Sequence, residues 1–452
     1  MNIIVVGCGK IGTTVLSSLV NENHDVIGVD NDPAVIEQLT NRYDVMGVCG
    51  NGTDCDTLSE ANVQKAELVI ATTGSDELNM LCCFIARKMG AKHTIARIRN
   101  PEYNDRSFGF MCRHLGISLS INPELTAAHE LYNILKLPSA AKVETFSKRN
   151  FEMVELKLKP DSSLDGIALS EMRKKFKSSF LICVVQRGDK VVIPDGNFVL
   201  KGGDKIGIAA TPAEIQRLLK ELKIMQKQAR SVMILGASTT AYYLAKMLLN
   251  SGNSVKIIEK NPDRCQHFSE LLPDAVIING DGAQQELLLE EGIRSVDAFV
   301  SLTGMDEQNI LISYFASSQN VPKVICKINR DEFTATADRL GLDCIISPKK
   351  IISDVIVRYA RALHNSIGSN METLYRLMDG SAEALEFNIS SDCSLIGIPL
   401  KKMKTKDNIL IAGIIRGRKT IIPSGEDTIE ALDNVIIFAS GHILNDVTDI
   451  LK

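Results

Sequence analysis

The chain has 452 residues, of which 45% are hydrophobic and 23% are charged, as in soluble globular proteins with about three or four domains. The net charge of -4 provides no basic field for nucleic acid. The 11 cysteines include no CxxC pair, which argues against a zinc site or a disulfide framework and fits a reducing cytoplasm. The longest apolar runs, such as 409–415, are too short for a membrane helix of roughly 20 residues, so we expect neither a membrane span nor a signal peptide.

The chain opens on a predicted strand at 3–6, followed by the turn Gly7-x-Gly9-x-x-Gly12 and a helical pattern. Gly7 permits the tight turn, Gly9 lets the backbone approach a pyrophosphate, and Gly12 lets the helix pack closely on the strand. Free N–H groups at the start of the helix then face the anion. This context predicts nucleotide binding, and a glycine-rich turn without a ligand is the alternative.

A second predicted strand, at 26–29, ends in Asp30, 18 residues after Gly12. An acid at this place accepts hydrogen bonds from ribose hydroxyls and repels a 2'-phosphate, so it favours NAD, NADH or an adenine nucleotide over NADP. Asp30 could instead cap the helix that begins near Pro33. Asp32 can take that capping role, which leaves Asp30 for the ribose.

The chain is an internal duplication. The stretch 231–241, SVMILGASTTA, restarts the opening pattern 229 residues later, so that Gly7 and Asp30 fall on Gly236 and Glu259. One inserted residue then changes the offset to 230. At that offset Gly50-Asn51-Gly52-Thr53 matches Gly280-Asp281-Gly282-Ala283, Thr73-Gly74-Ser75-Asp76 matches Thr303-Gly304-Met305-Asp306, and Ala96-Arg97-Ile98 matches Cys326-Lys327-Ile328.

Short apolar strands separated by helical patterns recur through the first copy. They are predicted at 3–6, 26–29, 45–48, 68–71, 94–98 and 118–121. This alternation predicts an α/β fold with a Rossmann-like, doubly wound parallel sheet in each copy. Ligands of such sheets lie beyond the carboxyl ends of the strands, where the repeated motifs also fall. We therefore expect the motifs to converge on one crevice.

The sequence pattern changes after each nucleotide domain. A linking helix, at 124–137 or 349–363, leads into a small α+β module. The nucleotide domain (A) and the small module (B) therefore follow each other in the order A-B-A-B. The first module is predicted to have strands at 152–158, 181–186, 191–194 and 205–209, a helix at 162–176, and a stiff helical join over 221–230. The predicted bounds are 1–122 for the first nucleotide domain, 123–140 for its linking helix, 141–226 for the first small module, 230–348 for the second nucleotide domain, 349–371 for its linking helix, and 372–452 for the second small module.

These features resemble the TrkA family, the cytoplasmic subunits of Trk potassium uptake systems, which are built from tandem RCK (also called KTN) domains. The resemblance covers essentially the whole chain. It rests on the two nucleotide modules, the phrase Gly50-Asn51-Gly52-Thr53-Asp54, the phrase from Ala96 to Tyr103, and small modules that carry Arg187-Gly188 and Pro194-x-Gly196. The order and duplication of these phrases make the resemblance specific.

The resemblance implies a cytoplasmic regulatory subunit, peripherally associated with the inner face of the cell membrane. Such a subunit gates an integral-membrane potassium-translocating partner of Trk or Ktr type in response to NAD, NADH, ATP or ADP. RCK rings comprise eight domains, which implies a homo-tetramer or two dimers of this chain. In such an assembly the linking helices are expected to cross to neighbours, because their apolar positions need more cover than one small module provides.

The resemblance also assigns ligand contacts residue by residue, with no catalytic residue and no metal ligand. In the first copy the contacts are Gly7, Cys8, Gly9, Lys10, Ile11, Gly12, Asp30, Asn31, Asn51, Thr53, Thr73, Gly74 and Arg97. In the second copy they are Gly236, Ala237, Ser238, Thr239, Thr240, Glu259, Asp281 and Lys327.

The second glycine turn departs from the pattern, since Ser238 and Ala241 stand where the first copy has its second and third glycines. Their Cβ atoms hinder backbone approach to a pyrophosphate, although Gly236 still allows the turn and Glu259 can still serve a ribose. Lys327 replaces an arginine and loses its bidentate fork. The second copy is either a weaker site or a domain kept for packing, with Lys327 as a solvated charge or an ion-pair partner.

A dehydrogenase is the main alternative function, because the same fold serves hydride transfer. That chemistry needs a histidine, tyrosine or lysine beside the nicotinamide, whereas residues 141–226 contain no histidine or tyrosine and the second small module has only Tyr375 and His442. Tyr242 and Lys246 imitate a dehydrogenase pair, but they follow the phosphate turn too closely. We therefore predict a non-enzyme, with a purely structural protein or a regulator of another cation transporter as further alternatives.

Overall fold

A computed structural model describes residues 1–100, 103, 106–146, 151–160, 162–225, 227–342, 344–365 and 371–452. The Pro101-Glu102 part of the second phrase, position 226 and residues 366–370 of the second linking segment lie outside the described residues. Within the described ranges, two six-stranded parallel sheets alternate along the chain with two five-stranded antiparallel sheets. The predicted fold class is therefore confirmed. None of the helices in these ranges is both long and apolar enough to span a membrane.

Strands and helices alternate through the first nucleotide domain. They are β1 (Asn2–Val6), α1 (Lys10–Asn21), β2 (Asp25–Asp30), α2 (Pro33–Tyr43), β3 (Met46–Cys49), α3 (Cys55–Glu60), β4 (Leu68–Ala71), α4 (Asp76–Lys88), β5 (His93–Arg97), α5 (Arg106–Leu115), β6 (Leu119–Ile121) and α6 (Pro123–Lys136). The strands form a parallel sheet in the order β3-β2-β1-β4-β5-β6 and lie within one residue of their predicted bounds.

The position of β1 determines where the crevice lies. From Ile3 onwards its apolar side chains are buried, because the strand lies in the middle of the sheet between β2 and β4. The strand order reverses between β1 and β4, and ligands of doubly wound sheets bind at such a point, outside the carboxyl ends of the strands. The glycine turn after β1 therefore lies at the centre of the candidate crevice.

The first small module is an antiparallel sheet with two short helices. Its elements are β7 (Lys142–Phe146), β8 (Phe151–Lys157), α7 (Leu169–Lys175), β9 (Leu181–Arg187), β10 (Lys190–Val192), β11 (Lys205–Ala210) and α8 (Pro212–Glu221). The strands pair in the order β10-β9-β11-β8-β7. β7 has no counterpart among the predicted strands.

Two helical predictions in this module are wrong in extent. The helix predicted over 162–176 covers only Leu169–Lys175, and turns occupy the described residues before it. The helical join predicted over 221–230 is also wrong, because α8 ends at Glu221 and the described residues beyond it are not helical. Lys223 adopts a φ of +58°, which an α-helix cannot contain without strain.

The second half repeats both architectures. The nucleotide domain comprises β12 (Ser231–Leu235), α9 (Thr239–Asn250), β13 (Ser254–Glu259), α10 (Pro262–Leu271), β14 (Val276–Asn279), α11 (Gln285–Glu290), β15 (Ala298–Ser301), α12 (Asp306–Ser318), β16 (Lys323–Lys327), α13 (Thr334–Arg339), β17 (Ile345–Ile346) and α14 (Pro348–Asn365). The small module comprises β18 (Met371–Leu377), β19 (Ala382–Asn388), β20 (Ile409–Arg416), β21 (Lys419–Ile421) and β22 (Asn434–Ala439). The sheet orders are β14-β13-β12-β15-β16-β17 and β18-β19-β22-β20-β21.

The described chain divides into two compact units. Unit 1 contains residues 1–129, 239–244 and 347–360, and unit 2 contains 130–238, 245–346 and 361–452. The start of α9 and most of α14 thus belong with the first nucleotide domain, although they come from the second half. Most of the second linking helix, α14, therefore groups with the first nucleotide domain of the same chain.

The two small modules share a hydrophobic core in unit 2. The Phe146 ring lies 4.9 Å from the Tyr375 ring and 6.3 Å from the Phe438 ring, measured between centroids. The Tyr375 hydroxyl donates to the carbonyl oxygen of Thr145 at 2.6 Å. A Cβ on Gly413 would lie 3.0 Å from the Phe151 ring, so a glycine is needed for this close approach. The modules therefore pack against each other within the chain.

Each small module contains a buried aspartate held by an arginine. In the first, Arg187 donates two hydrogen bonds to Asp204, whose side chain is 1% exposed, at 2.7 and 2.8 Å. In the second, Arg416 holds the fully buried Asp433 with two bonds of 2.9 Å. The Arg-Gly phrase thus recurs because its arginine neutralises a carboxylate that is enclosed by the sheet.

Arg187→Met should lower the free energy of unfolding at neutral pH by about 2–3 kcal/mol, because Asp204 would keep its burial and lose its charged donors. The exposed Arg418→Met should change it by less than about 0.5 kcal/mol. Denaturant unfolding of both variants measures the difference.

The pH dependence of this difference gives a further check. Burial raises the pKa of Asp204, but the hydrogen bonds and charge of Arg187 outweigh that effect and hold the pKa below its ordinary value. The stabilisation is therefore present above about pH 4 and is lost as the pH falls below it. An unchanged deficit of Arg187→Met in strong acid would contradict this account.

Candidate nucleotide-binding site

The first glycine turn has the geometry that a phosphate cradle requires. Gly7 has a φ of +84° and donates its N–H to the carbonyl oxygen of Val29 at 2.8 Å, while a Cβ there would lie 2.7 Å from the Thr73 nitrogen. A Cβ on Gly12 would overlap the Gly7 carbonyl oxygen, so this glycine lets α1 pack on the turn. Around Gly9 nothing lies within 4 Å of a Cβ, which leaves that side of the turn open.

Helix α1 points its N-terminus at this open side. Gly9 is the N-cap and supplies no side-chain hydrogen bond to the first turn. The N–H groups at the start of any α-helix lack partners within the helix, so those of Lys10 and Ile11 are free to meet an anion. The cradle is thus built from backbone donors.

Asp30, at the end of β2, holds the turn in place. Its carboxylate accepts from the Cys8 N–H at 2.7 Å and from the Asp32 N–H at 3.0 Å. Asp32 itself caps α2 by accepting from the Ala34 N–H at 2.9 Å. The capping role thus lies with Asp32, and the remaining lone pairs of Asp30 can accept from hydroxyl groups. Burial, followed by the charge of Asp30, raises the pKa of the Cys8 thiol to about 12, so the thiol is neutral.

The loop after β3 is fixed by its own side chains. The Asn51 Oδ1 accepts from the Thr53 N–H at 3.0 Å and from the Thr53 hydroxyl at 2.9 Å. The Gly50 N–H donates to the Asp30 carbonyl oxygen at 2.8 Å, which ties this loop to the end of β2. Asn31, the residue after Asp30, is exposed.

A buried asparagine that sequence reasoning missed organises the loops after β4 and β5. The Asn79 Oδ1 accepts from the N–H and the hydroxyl of Thr73, both at 2.8 Å. Its amide nitrogen donates to the Arg97 carbonyl oxygen at 2.9 Å. Asn309 makes the same contacts to Thr303 and Lys327 in the second copy. The recurrence of asparagine at the 230-residue offset is the signal that could have revealed it.

Arg97 is paired with Glu124, on the first turn of α6, at 3.2 Å between Nη2 and Oε1. Their side chains are 13% and 21% exposed, and the Nε of Arg97 and the Oε2 of Glu124 are buried with no hydrogen-bond partner among the described residues. Burial lowers the pKa of Arg97, and the charge of Glu124 opposes that shift. The guanidinium therefore remains cationic with donor capacity in reserve.

The structure brings the predicted residues of the first copy to one edge of the sheet. The glycine turn, Asp30, Asn51 with Thr53, Thr73 with Gly74, and Arg97 follow the ends of five adjacent strands. Backbone donors at a helix N-terminus suit phosphates, an acid at the second strand suits ribose hydroxyls, and an arginine suits an anion. The arrangement can bind a nucleotide and orient it.

The second copy keeps the acid but changes the surrounding groups. Gly236 has a φ of +96°, and the Ala237 N–H donates to the Glu259 carboxylate at 2.7 Å. Asp281 accepts from the Ala283 N–H and the Lys260 ammonium, each at 3.0 Å. Lys327 is half-buried and donates to the Leu302 carbonyl oxygen at 3.3 Å, so it is not the solvated charge of the packing alternative.

Helix α9 begins at Thr239 and Thr240, directly after Ser238. The match of Ile121-Asn122-Pro123-Glu124 with Ile346-Ser347-Pro348-Lys349 places Lys349 at the position of Glu124. Lysines thus stand at both positions of the Arg97–Glu124 pair, so this ion pair cannot recur in the second copy.

Comparisons with known proteins agree with this architecture. The TrkA-N domain matches residues 3–123 and 232–348, and the TrkA-C domain matches 153–223 and 384–452. A Trk system potassium uptake protein TrkA homolog of Archaeoglobus fulgidus is 32% identical over 453 residues, with 100% of both chains covered. The Trk system potassium uptake protein TrkA of Haemophilus influenzae is 30% identical over 447 residues, with 97% of this chain and 96% of the relative covered.

Solved structures show the same fold. The crystal structure of the GsuK RCK domain has a TM-score of 0.64 at 17% identity and covers 97% of this chain and 92% of its own. The GsuK channel bound to NAD has a TM-score of 0.62 at 16% identity, with coverage of 97% and 77%. Because both domain types match twice and the relatives align end to end, the chain belongs to the TrkA family of Trk system potassium uptake proteins.

Proposed function

We propose that the chain is a cytoplasmic regulatory subunit that senses nucleotides and gates a membrane-embedded potassium-translocating subunit of Trk or Ktr type. The observation that carries the proposal is a first crevice equipped to bind phosphate and ribose, with backbone donors at the glycine turn and the side chains of Asp30, Asn51, Thr53, Thr73 and Arg97 at the strand ends. Membership of the TrkA family supports the potassium assignment, since its named relatives are potassium uptake proteins.

The ligands that we propose are NAD or NADH and the adenine nucleotides ATP and ADP. The carboxylate of Asp30 would accept from ribose hydroxyls and would repel a 2'-phosphate. GsuK has been solved bound to NAD and bound to ADP, which supports both ligand classes for an RCK fold. The second crevice, with Ser238, Glu259 and Lys327, would bind the same ligands more weakly.

Ligand state would be transmitted by the Arg97–Glu124 pair. A ligand phosphate near Arg97 competes with Glu124, which lies on the helix that leads into the first small module. A ligand can shift an equilibrium between two arrangements only by its ratio of affinities for them, so this competition supplies the difference in affinity.

We further propose that the domains have the predicted bounds and that four chains, or two dimers, assemble at the inner face of the membrane.

Purified protein should bind NADH and ADP competitively and oxidise nothing, because the contacts assigned to the first crevice serve ribose and phosphate. Isothermal titration calorimetry measures the affinities, and NADH absorbance monitors turnover. NADPH should bind at least about tenfold more weakly, since its 2'-phosphate meets the Asp30 carboxylate. Equal affinity for NADPH would refute the ribose assignment, and substrate-dependent NADH oxidation would favour the dehydrogenase.

Asp30→Ala should weaken NADH binding at the first crevice about ten- to hundredfold, the value of one charge-assisted hydrogen bond. Glu259→Ala is the matched variant, because Glu259 has the same contacts in the second copy. It should act mainly on a weaker binding event and change the affinity of the first crevice less than Asp30→Ala does. Equal losses in the two variants would mean that the crevices are equivalent.

Cells that lack the gene should grow poorly when potassium is limiting, and the unsubstituted gene should restore growth. The Asp30→Ala gene should restore growth poorly at an equal protein level, because the subunit would no longer respond to its ligand. Rubidium uptake by the same strains measures transport directly. Normal growth and uptake of the deletion strain would contradict the potassium assignment.

A further inference from the structure

A tyrosine from the second half of the chain forms hydrogen bonds with two segments that flank the first crevice. Tyr243 is on α9, four residues after Thr239, and its side chain is buried in unit 1. Its hydroxyl donates to the Arg99 carbonyl oxygen at 3.0 Å and accepts from the Asn122 amide at 3.1 Å. Because α9 follows the second glycine turn, this hydroxyl joins the helix of one phosphate cradle to loops of the other.

The contact through Asn122 leads to Arg97. The Asn122 Oδ1 accepts from the Leu125 N–H at 2.9 Å and so fixes the start of α6. Two residues later, Glu124 holds the Arg97 guanidinium at 3.2 Å. A displacement of Asn122 therefore changes the position of the carboxylate that competes for Arg97.

The contact through Arg99 leads to the loop after β4. The Arg99 N–H donates to the buried carboxylate of Asp76 at 2.8 Å, and its guanidinium donates to the Gly74 carbonyl oxygen. Gly74 lies beside Thr73 at the candidate crevice. Tyr243 thus contacts two segments that flank the first ligand position.

We infer that Tyr243 couples the two nucleotide crevices, so that occupancy of the second glycine turn changes the affinity of the first for nucleoside phosphates. The inference rests on the proposed function and adds the route between its two sites. A ligand that draws the start of α9 towards its phosphates shifts the Tyr243 hydroxyl against Asn122 and Arg99. Thermodynamic linkage requires that filling the first crevice change the affinity of the second by the same factor.

The coupling contact has no symmetric counterpart. Thr14 occupies the position of Tyr243 in the first copy, and its hydroxyl donates to the Lys10 carbonyl oxygen of its own helix at 2.9 Å. Ser347 occupies the position of Asn122, and its hydroxyl is buried with no hydrogen-bond partner among the described residues. With Lys349 in place of Glu124, neither end of the route is reproduced. The two halves therefore differ in these hydrogen-bond contacts as well as in their glycines.

The test is a double-mutant cycle on the full chain, with ADP and NADH as the titrated ligands in calorimetry. The affinity of the first crevice is measured with Glu259 intact and with Glu259→Ala, each in the presence of Tyr243 and of Tyr243→Phe. In the Tyr243 background, Glu259→Ala should change the first-crevice Kd by about fivefold or more. In the Tyr243→Phe background the change should fall below about twofold.

Tyr242→Phe is the matched control, because it removes a hydroxyl from the adjacent residue of α9 and leaves both contacts of Tyr243 in place. It should retain the fivefold response. Glu124→Gln breaks the route at its other end without altering the buried tyrosine, and it should also reduce the response below twofold. This second variant keeps the test decisive if Tyr243→Phe fails to fold.

The outcomes separate the inference from the proposed function. In one contrary result the first crevice binds nucleotide while Glu259→Ala changes its Kd by the same factor in every background, and in another Glu259→Ala changes it in none. Either result would overturn the coupling and leave the proposed function standing. Absence of NADH and ADP binding by the unsubstituted chain would overturn the proposed function and the coupling with it.

Discussion

The first crevice depends on the carboxylate of Asp30, which accepts from the N–H groups of Cys8 and Asp32. These two bonds join the turn after β1 to the turn after β2, so the cradle keeps its shape without a ligand. Part of the acceptor capacity of the acid is used in this way, and its remaining lone pairs stay available to accept hydrogen bonds. Glu259 makes the same two bonds with a side chain that is one methylene longer. The acid therefore has a structural role in both copies, which explains its survival where the glycines changed.

Sequence patterns predicted the parts of the site that depend on local backbone geometry. The glycine turn, the strand ends and the capping role of Asp32 follow from spacing, because a parallel sheet brings the ends of its strands to one edge. Asn79 and Glu124 could not be identified in this way. Each acts through a tertiary contact with a strand end, Asn79 on Thr73 and Glu124 on Arg97, and nothing in the local pattern distinguishes them from a helix surface residue and a first-turn acid.

The small modules show where local patterns misled. Apolar residues in 162–176 are spaced as in a helix, yet turns replace the helix before Leu169 and bury Leu164 in the module core. The charged run after α8 is compatible with a helix, but the helix ends once Leu218, Leu219 and Leu222 have been buried. The Arg-Gly phrases were recognised as repeats, whereas the aspartates that they neutralise lie 17 residues further on and emerge only from the fold. Burial of a charge, rather than periodicity, explains why the arginine is kept.

The Arg97–Glu124 pair also indicates which arrangement a ligand would favour. Two buried polar atoms without partners carry a desolvation cost that the single bond between the side chains does not fully offset. Under the proposed function, a phosphate at Arg97 would supply acceptors to the guanidinium and, by repulsion, would drive the Glu124 carboxylate towards water. Both changes relieve the same cost, so they favour one direction of movement for the start of α6. The second copy has lysines at both positions, so the Arg97–Glu124 competition cannot operate there in the same form. In a regulatory chain with two such crevices, ligand binding at the first can therefore move α6, while binding at the second can change the affinity of the first.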